Sequence, residues 1–256
     1  AGGGYVASSA MRSISSGRDR GLPRRLCFFR ALSDWPAHAV LYSAAALYAV
    51  TAPVMGPWSL LLAGLPYAFG YISLHRLQAT RHTLDQTIRA LGRIPEAGGM
   101  VPLGHAGRTA ELAVAVGGDL GLGGRALDRV EYAALLHDIG RLVLANPSVA
   151  AGHHTPSDVS GWGATIIGEA KHLAQVADLV AVMHSPYRRP GEQRDPALSR
   201  EAHVVRVVSA YDDEIAAGRA PLEAIETLHR GAAYDFDPEV VTILRRVLEQ
   251  RGAIAA

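Results

Sequence analysis

Ala133-Ala134-Leu135-Leu136-His137-Asp138-Ile139-Gly140-Arg141 runs an apolar segment straight into an adjacent imidazole and carboxylate. An unpaired buried carboxylate is costly, so such a group is normally paired or bound to a cation. Taken alone, the stretch allows two readings. One is a helix whose polar end caps against a neighbour; the other is part of a metal centre. His105, His184 and Asp212 fall at or near the ends of other expected helices. Imidazole nitrogens and carboxylate oxygens gathered from several helices suit a first-row divalent cation. Each histidine by itself reads as an ordinary core or surface residue. The order His, His-Asp, Asp across one helical region is far more specific.

The elements that must position these groups are helical. From about residue 96 the pattern is helix after helix with short loops and little strand alternation. The apolar spacing predicts helices over 105–116, 127–137, 163–173, 174–184, 202–217, 221–230 and 238–251. Asp237-Pro238-Glu239 opens the last of these, with Asp as N-cap and Pro in the first turn. An all-α domain of about 150 residues, within the ordinary size range, is expected.

The remainder of the chain reads differently. Of 256 residues, the net charge is +1, so no global basic field points to nucleic acid. The single cysteine, Cys27, rules out an internal disulfide framework and fits a reducing compartment. Residues 1–34 are rich in Gly, Ser and Arg, carry a local charge of +4 and lack apolar periodicity. They are expected to form a disordered basic arm. Between Trp35 and His75 there is no Asp, Glu, Lys or Arg. The segments 37–54 and 58–74, split at Pro53, Gly56 and Pro57, are each about the 17–25 residues that a helix needs to cross a hydrocarbon core. Arginines flank the pair on both sides, which predicts a transmembrane hairpin over 35–75 with both termini cytoplasmic. A buried helical hairpin in a soluble protein is the alternative. Leu77, Leu84 and Leu91 recur every seventh residue, which suits a connecting helix over 76–93, either a short coiled-coil stalk or an amphipathic helix packed on the next domain.

Three motifs carry a resemblance. Gly104-His105-Ala106-Gly107-Arg108, His137-Asp138-Ile139-Gly140 and Val207-Val208-Ser209-Ala210-Tyr211-Asp212-Asp213 resemble the HD superfamily of metal-dependent phosphohydrolases. The similarity is nearest to its HD-GYP branch of cyclic di-GMP phosphodiesterases. Ala220-Pro221-Leu222-Glu223-Ala224-Ile225 and Phe236-Asp237-Pro238-Glu239-Val240-Val241 look like that branch's tail. The resemblance implies an HD-type helical bundle over 94–256, preceded here by the hairpin. It implies a divalent metal (Mn, Fe or Mg) held by His105, His137, Asp138, His184 and Asp212. Asp138 and Arg141 are then the catalytic pair, and Arg108, Arg188 and Arg189 the candidate contacts to substrate phosphate. Glu96 stands where some members have a further carboxylate ligand. The partners implied are a small phosphoester or cyclic dinucleotide, a bacterial cell membrane and a second copy of the chain, with no nucleic acid.

The sequence also departs from the family. Ser185 replaces the second histidine after His184, Arg141 replaces a lysine, and no GYP triplet is present. Ser209 falls where the last Asp ligand belongs, with Asp212 one helical turn on and on the same face. Asp212 either takes over as ligand or is the family's supporting Asp. Function is therefore open between a metal-activated phosphohydrolase, a degenerate signalling module and a domain that binds nucleotide without hydrolysis.

Overall fold

The computed structural model describes residues 35–192 and 198–254, so the expected basic arm over 1–34 lies outside the described residues. Among the described residues the chain is all-α, apart from an isolated bridge between Ala232 and Phe236. It divides into two units, Ala1–Gln86 and Thr87–Ala256.

In the first unit, helix α1 (Trp35–Met55) is followed at Gly56 by helix α2 (Trp58–Gly92). The second apolar segment and the expected connecting helix are thus one continuous 35-residue helix. Nothing between Ser73 and Arg89 breaks it, and Pro66 is accommodated in its interior. The expected transmembrane hairpin is corrected here. Among the described residues no helix is long and apolar enough to cross a membrane. Alanine, tyrosine and serine dilute both segments, Thr51 the first and Gly64 and Gly70 the second, and Arg76 and Arg81 enter α2 itself. Leu60, Leu61, Leu65 and Phe69 nonetheless lie exposed along α2.

The second unit begins in the last turns of α2, where Ile88 is fully buried. It continues through α3 (Ile94–Ala97), α4 (His105–Asp119) and α5 (Arg125–Leu136). A 3-10 segment (Ile139–Ala145), α6 (Pro147–Ala150), α7 (Pro156–Gly168) and α8 (Ala174–Val182) follow. The unit closes with α9 (Arg200–Ala216), α10 (Pro221–Arg230) and α11 (Pro238–Gln250). The core lies where α4, α5 and α9 meet. Val116, Val130, Ala133, Ala134, Val204, Val207 and Val208 are wholly buried there. Helix α7 starts earlier than the apolar pattern suggests. Thr155 and Asp158 form a reciprocal capping box around Pro156, and this outweighs the helix-weakening Gly161 and Gly163.

Candidate metal centre

Three local features aim side chains at one point between α4, α5 and α9. At the first, Gly104 adopts a left-handed conformation, φ 79°, which glycine takes without steric cost. That turn makes His105 the first residue of α4. The buried Glu96 carboxylate then accepts from the backbone N–H groups of Gly104 and Ala106, both at 2.9 Å. These are donors that no helical carbonyl reaches, and the negative charge also suits the helix N-terminus. Glu96, considered above as a further ligand, is thus spent on holding the helix start that carries His105. Glu96→Ala is expected to cost about 1–3 kcal/mol by stranding the buried Ala106 N–H and the part-buried Gly104 N–H. Chemical denaturation compared with Glu96→Gln, which keeps acceptor oxygen, checks this; equal losses in the two variants would contradict the capping role.

The second feature is the end of α5. His137 is still helical, but Asp138 sits at φ −92° and ψ 0°, where the α-helix gives way to the 3-10 segment. Successive residues in a regular helix diverge around the axis; the change of path lets these neighbours face one point. The third is α9, which brings Ser209 and Asp212 to the same place from adjacent turns.

The donor atoms form a nearly equilateral triangle. His105 Nε2 and His137 Nε2 are 3.1 Å apart, and Asp138 Oδ2 lies 3.3 and 3.2 Å from them. All three residues are buried. The tautomers are fixed by the other ring nitrogens. His137 Nδ1–H donates to the Ala134 carbonyl at 2.8 Å, and His105 Nδ1–H donates to Asp212 Oδ2 at 2.8 Å. Both Nε2 atoms therefore turn lone pairs toward each other and toward a carboxylate oxygen. With both Nε2 atoms unprotonated, the buried Asp138 Oδ2 has no hydrogen-bond partner. Three electron-rich atoms at such spacing need a positive charge between them. Donors about 2.0–2.2 Å from one cation stand roughly 3.0–3.5 Å apart in adjacent positions, so this set fits a divalent metal.

The remaining expected residues are placed differently. Asp212, 2% exposed, accepts from His105 and forms a two-pronged pair with Arg108, whose Nε and Nη2 each stand 2.8 Å from its carboxylate. It supports the ligand rather than joining the triangle, as a carboxylate behind a metal-binding imidazole commonly does. Arg108 also donates to the Leu103 carbonyl, so it braces Asp212. Ser209 Oγ–H donates to His137 Nε2 at 3.1 Å, at the edge of the triangle, a bond that a cation bound there would displace. His184 Nδ1 accepts from Arg206 at 3.0 Å, and burial with the Arg206 charge lowers its pKa to about 4. It is a neutral imidazole close enough to sense His137, Asp138 and Arg141. Arg141 Nε donates to Asp138 Oδ1 at 2.5 Å. Arg188 stacks over Tyr234, and with Arg189, Tyr187 and Glu192 it lines a cavity of about 200 Å³ next to His184 in the chain.

Residues 103–213 match the family model of the HD domain. HD domains are generally metal-dependent phosphohydrolases. No curated protein matches the chain closely enough to stand as a relative. The HD match contains the His105, His137-Asp138 and Asp212 set and ends at Asp213. It stops short of the tail at 220–241 on which the likeness to the HD-GYP branch drew, so the HD domain is the level at which the comparison holds.

Without metal, the HD triangle must hold a proton instead. Burial pushes His105 down, but hydrogen bonds to Asp138 and Asp212 prevail and raise its pKa from 6.5 to about 9. Asp138 is correspondingly held well below the usual carboxylate range: burial opposes this, but the charges of His137 and Arg141 and the bond from His105 prevail. A raised folded-state pKa stabilises the fold fully below pH 6.5 and is lost as pH rises through about 9. Chelator-treated protein is therefore expected to lose up to about 3 kcal/mol across that window. Thermal unfolding at pH 6 and pH 9.5 measures it. Metal-loaded protein should not show the loss, because the cation replaces the proton. A flat profile for the metal-free protein would contradict the proton-holding site.

Proposed function

We propose that the HD domain is a divalent-metal-dependent phosphohydrolase acting on a nucleotide or cyclic-dinucleotide phosphoester. The observation that carries this reading is the convergence of two imidazole lone pairs and one orphaned carboxylate oxygen. His105, His137 and Asp138 would hold the cation, which when bound supplies Lewis acidity and a water of lowered pKa. Asp212 keeps the His105 proton on Nδ1 and so keeps Nε2 free for coordination. Arg141 is half-open to solvent beside Asp138, and its planar fork suits non-bridging phosphoryl oxygens. His184, neutral with Nδ1 occupied by Arg206, has Nε2–H to donate toward a leaving oxygen. Arg188 and Arg189 provide a further basic surface for a phosphate remote from the reacting one.

The test is hydrolysis of bis(p-nitrophenyl) phosphate with added Mn²⁺, wild type against His105→Ala. Metal-dependent turnover lost in the variant supports the enzyme. Ser209 favours the second reading, a signalling or nucleotide-sensing module, because a neutral hydroxyl stands where a ligand carboxylate is expected. Tight Mn²⁺ binding without turnover of this ester or of cyclic dinucleotides would favour that module.

A further inference from the structure

We infer that this centre holds a single cation, and that the Arg141 guanidinium occupies the place beside Asp138 that a second cation would need. The inference rests on the metal-centre reading above. A carboxylate bridges two cations by giving one oxygen to each. Asp138 Oδ2 faces the two imidazoles, but Oδ1 is already committed to Arg141 Nε. Arg141 cannot lose its proton at accessible pH, so its positive charge is permanent. A second cation would have to displace it or sit against it.

The other groups around the site point the same way. His184 would be the natural imidazole for a second ion, yet its Nδ1 accepts from Arg206 and its surroundings include both Arg206 and Arg141. Ser209 brings no charge. Of the buried carboxylates, Asp212 is balanced by Arg108 and Asp138 by Arg141. Asp213, whose Oδ1 is 4.0 Å from His105 Nδ1, is largely exposed, and the charges it feels include Arg141 as well as Asp138 and His137. The site thus offers one set of converging lone pairs and two fixed guanidinium charges. That charge pattern matches one divalent ion plus an arginine contact to a phosphoryl group, since Arg141 can keep Nε on Asp138 while its terminal N–H groups turn outward.

The electron paramagnetic resonance spectrum of the Mn²⁺-saturated full chain tests this, with bound metal counted after dialysis. The expected result is the uncoupled six-line spectrum of one bound Mn²⁺, lost in His105→Ala. An exchange-coupled pair spectrum with two ions per chain would overturn the one-ion inference and leave the hydrolase reading standing. No retained Mn²⁺ in the wild type would overturn both.

Discussion

Asp138→Asn is expected to yield a folded protein whose Mn²⁺ affinity falls by more than about 100-fold, since even outer partners of such ligands are worth roughly 10–100-fold. The change removes the only ligand charge in the triangle while preserving shape. An asparagine oxygen can still accept from Arg141 Nε, and its amide can donate to the imidazole nitrogens that stand 3.2 and 3.3 Å from Asp138 Oδ2. The metal-free variant should therefore be well satisfied internally. His105 then loses a hydrogen-bonded carboxylate that lifts its pKa, so the fall in stability between pH 6.5 and about 9 should shrink. Isothermal titration with Mn²⁺ and thermal unfolding against pH read the two consequences separately. Unchanged affinity would remove Asp138 from the ligand set.

Gly140→Ala is expected to damage fold and metal site together. A Cβ at Gly140 would lie 2.0 Å from the Val159 carbonyl oxygen and 2.7 Å from the Gly163 backbone nitrogen. Both are main-chain atoms of α7, so no side chain can simply turn away. Either the 3-10 segment or α7 must move. Overpacking of this kind costs about 3 kcal/mol, which in a domain of this size lowers the melting temperature by roughly 6–12 °C. Because Asp138, two residues upstream, caps that 3-10 segment, Mn²⁺ binding should weaken as well. Circular dichroism melting and metal titration measure the pair of effects. A melting temperature within a degree of wild type would show that the close approach is not needed.

The sequence was most legible where residue chemistry and spacing acted together. His137-Asp138 at the end of an apolar run, with His105 ahead of it, stood among five expected ligands with His184 and Asp212, and the folded chain brings the first three together. Asp212 was harder. Ser209 and Asp212 share a face of α9 one turn apart, so spacing alone could not say which one meets Nε2 of an imidazole and which meets Nδ1. Arg108 held the missing clue: it lies one turn from His105 on α4, placed to pair with a carboxylate behind that ring. His184 was close to the site but already paired with Arg206, twenty-two residues on, a partner that no local pattern reveals. Thr155-Pro156-Ser157-Asp158 is a legible helix start that the nearby Gly161 and Gly163 obscure. The need for glycine at 140 depends on α7 lying against it, which is a tertiary fact. For 35–75, freedom from charge suggested two spans, yet the apolarity of the first rests largely on alanine, and the leucines of the second are interrupted by Gly64, Pro66, Tyr67, Gly70 and Tyr71.

Crystals of the chain grown with Mn²⁺ and measured at an anomalous wavelength give the most direct test. The expected result is one anomalous peak in contact with His105 Nε2, His137 Nε2 and Asp138 Oδ2, with Asp212 still bonded to His105 Nδ1. An empty triangle at saturating Mn²⁺, with the three side chains unchanged, would contradict the metal centre itself.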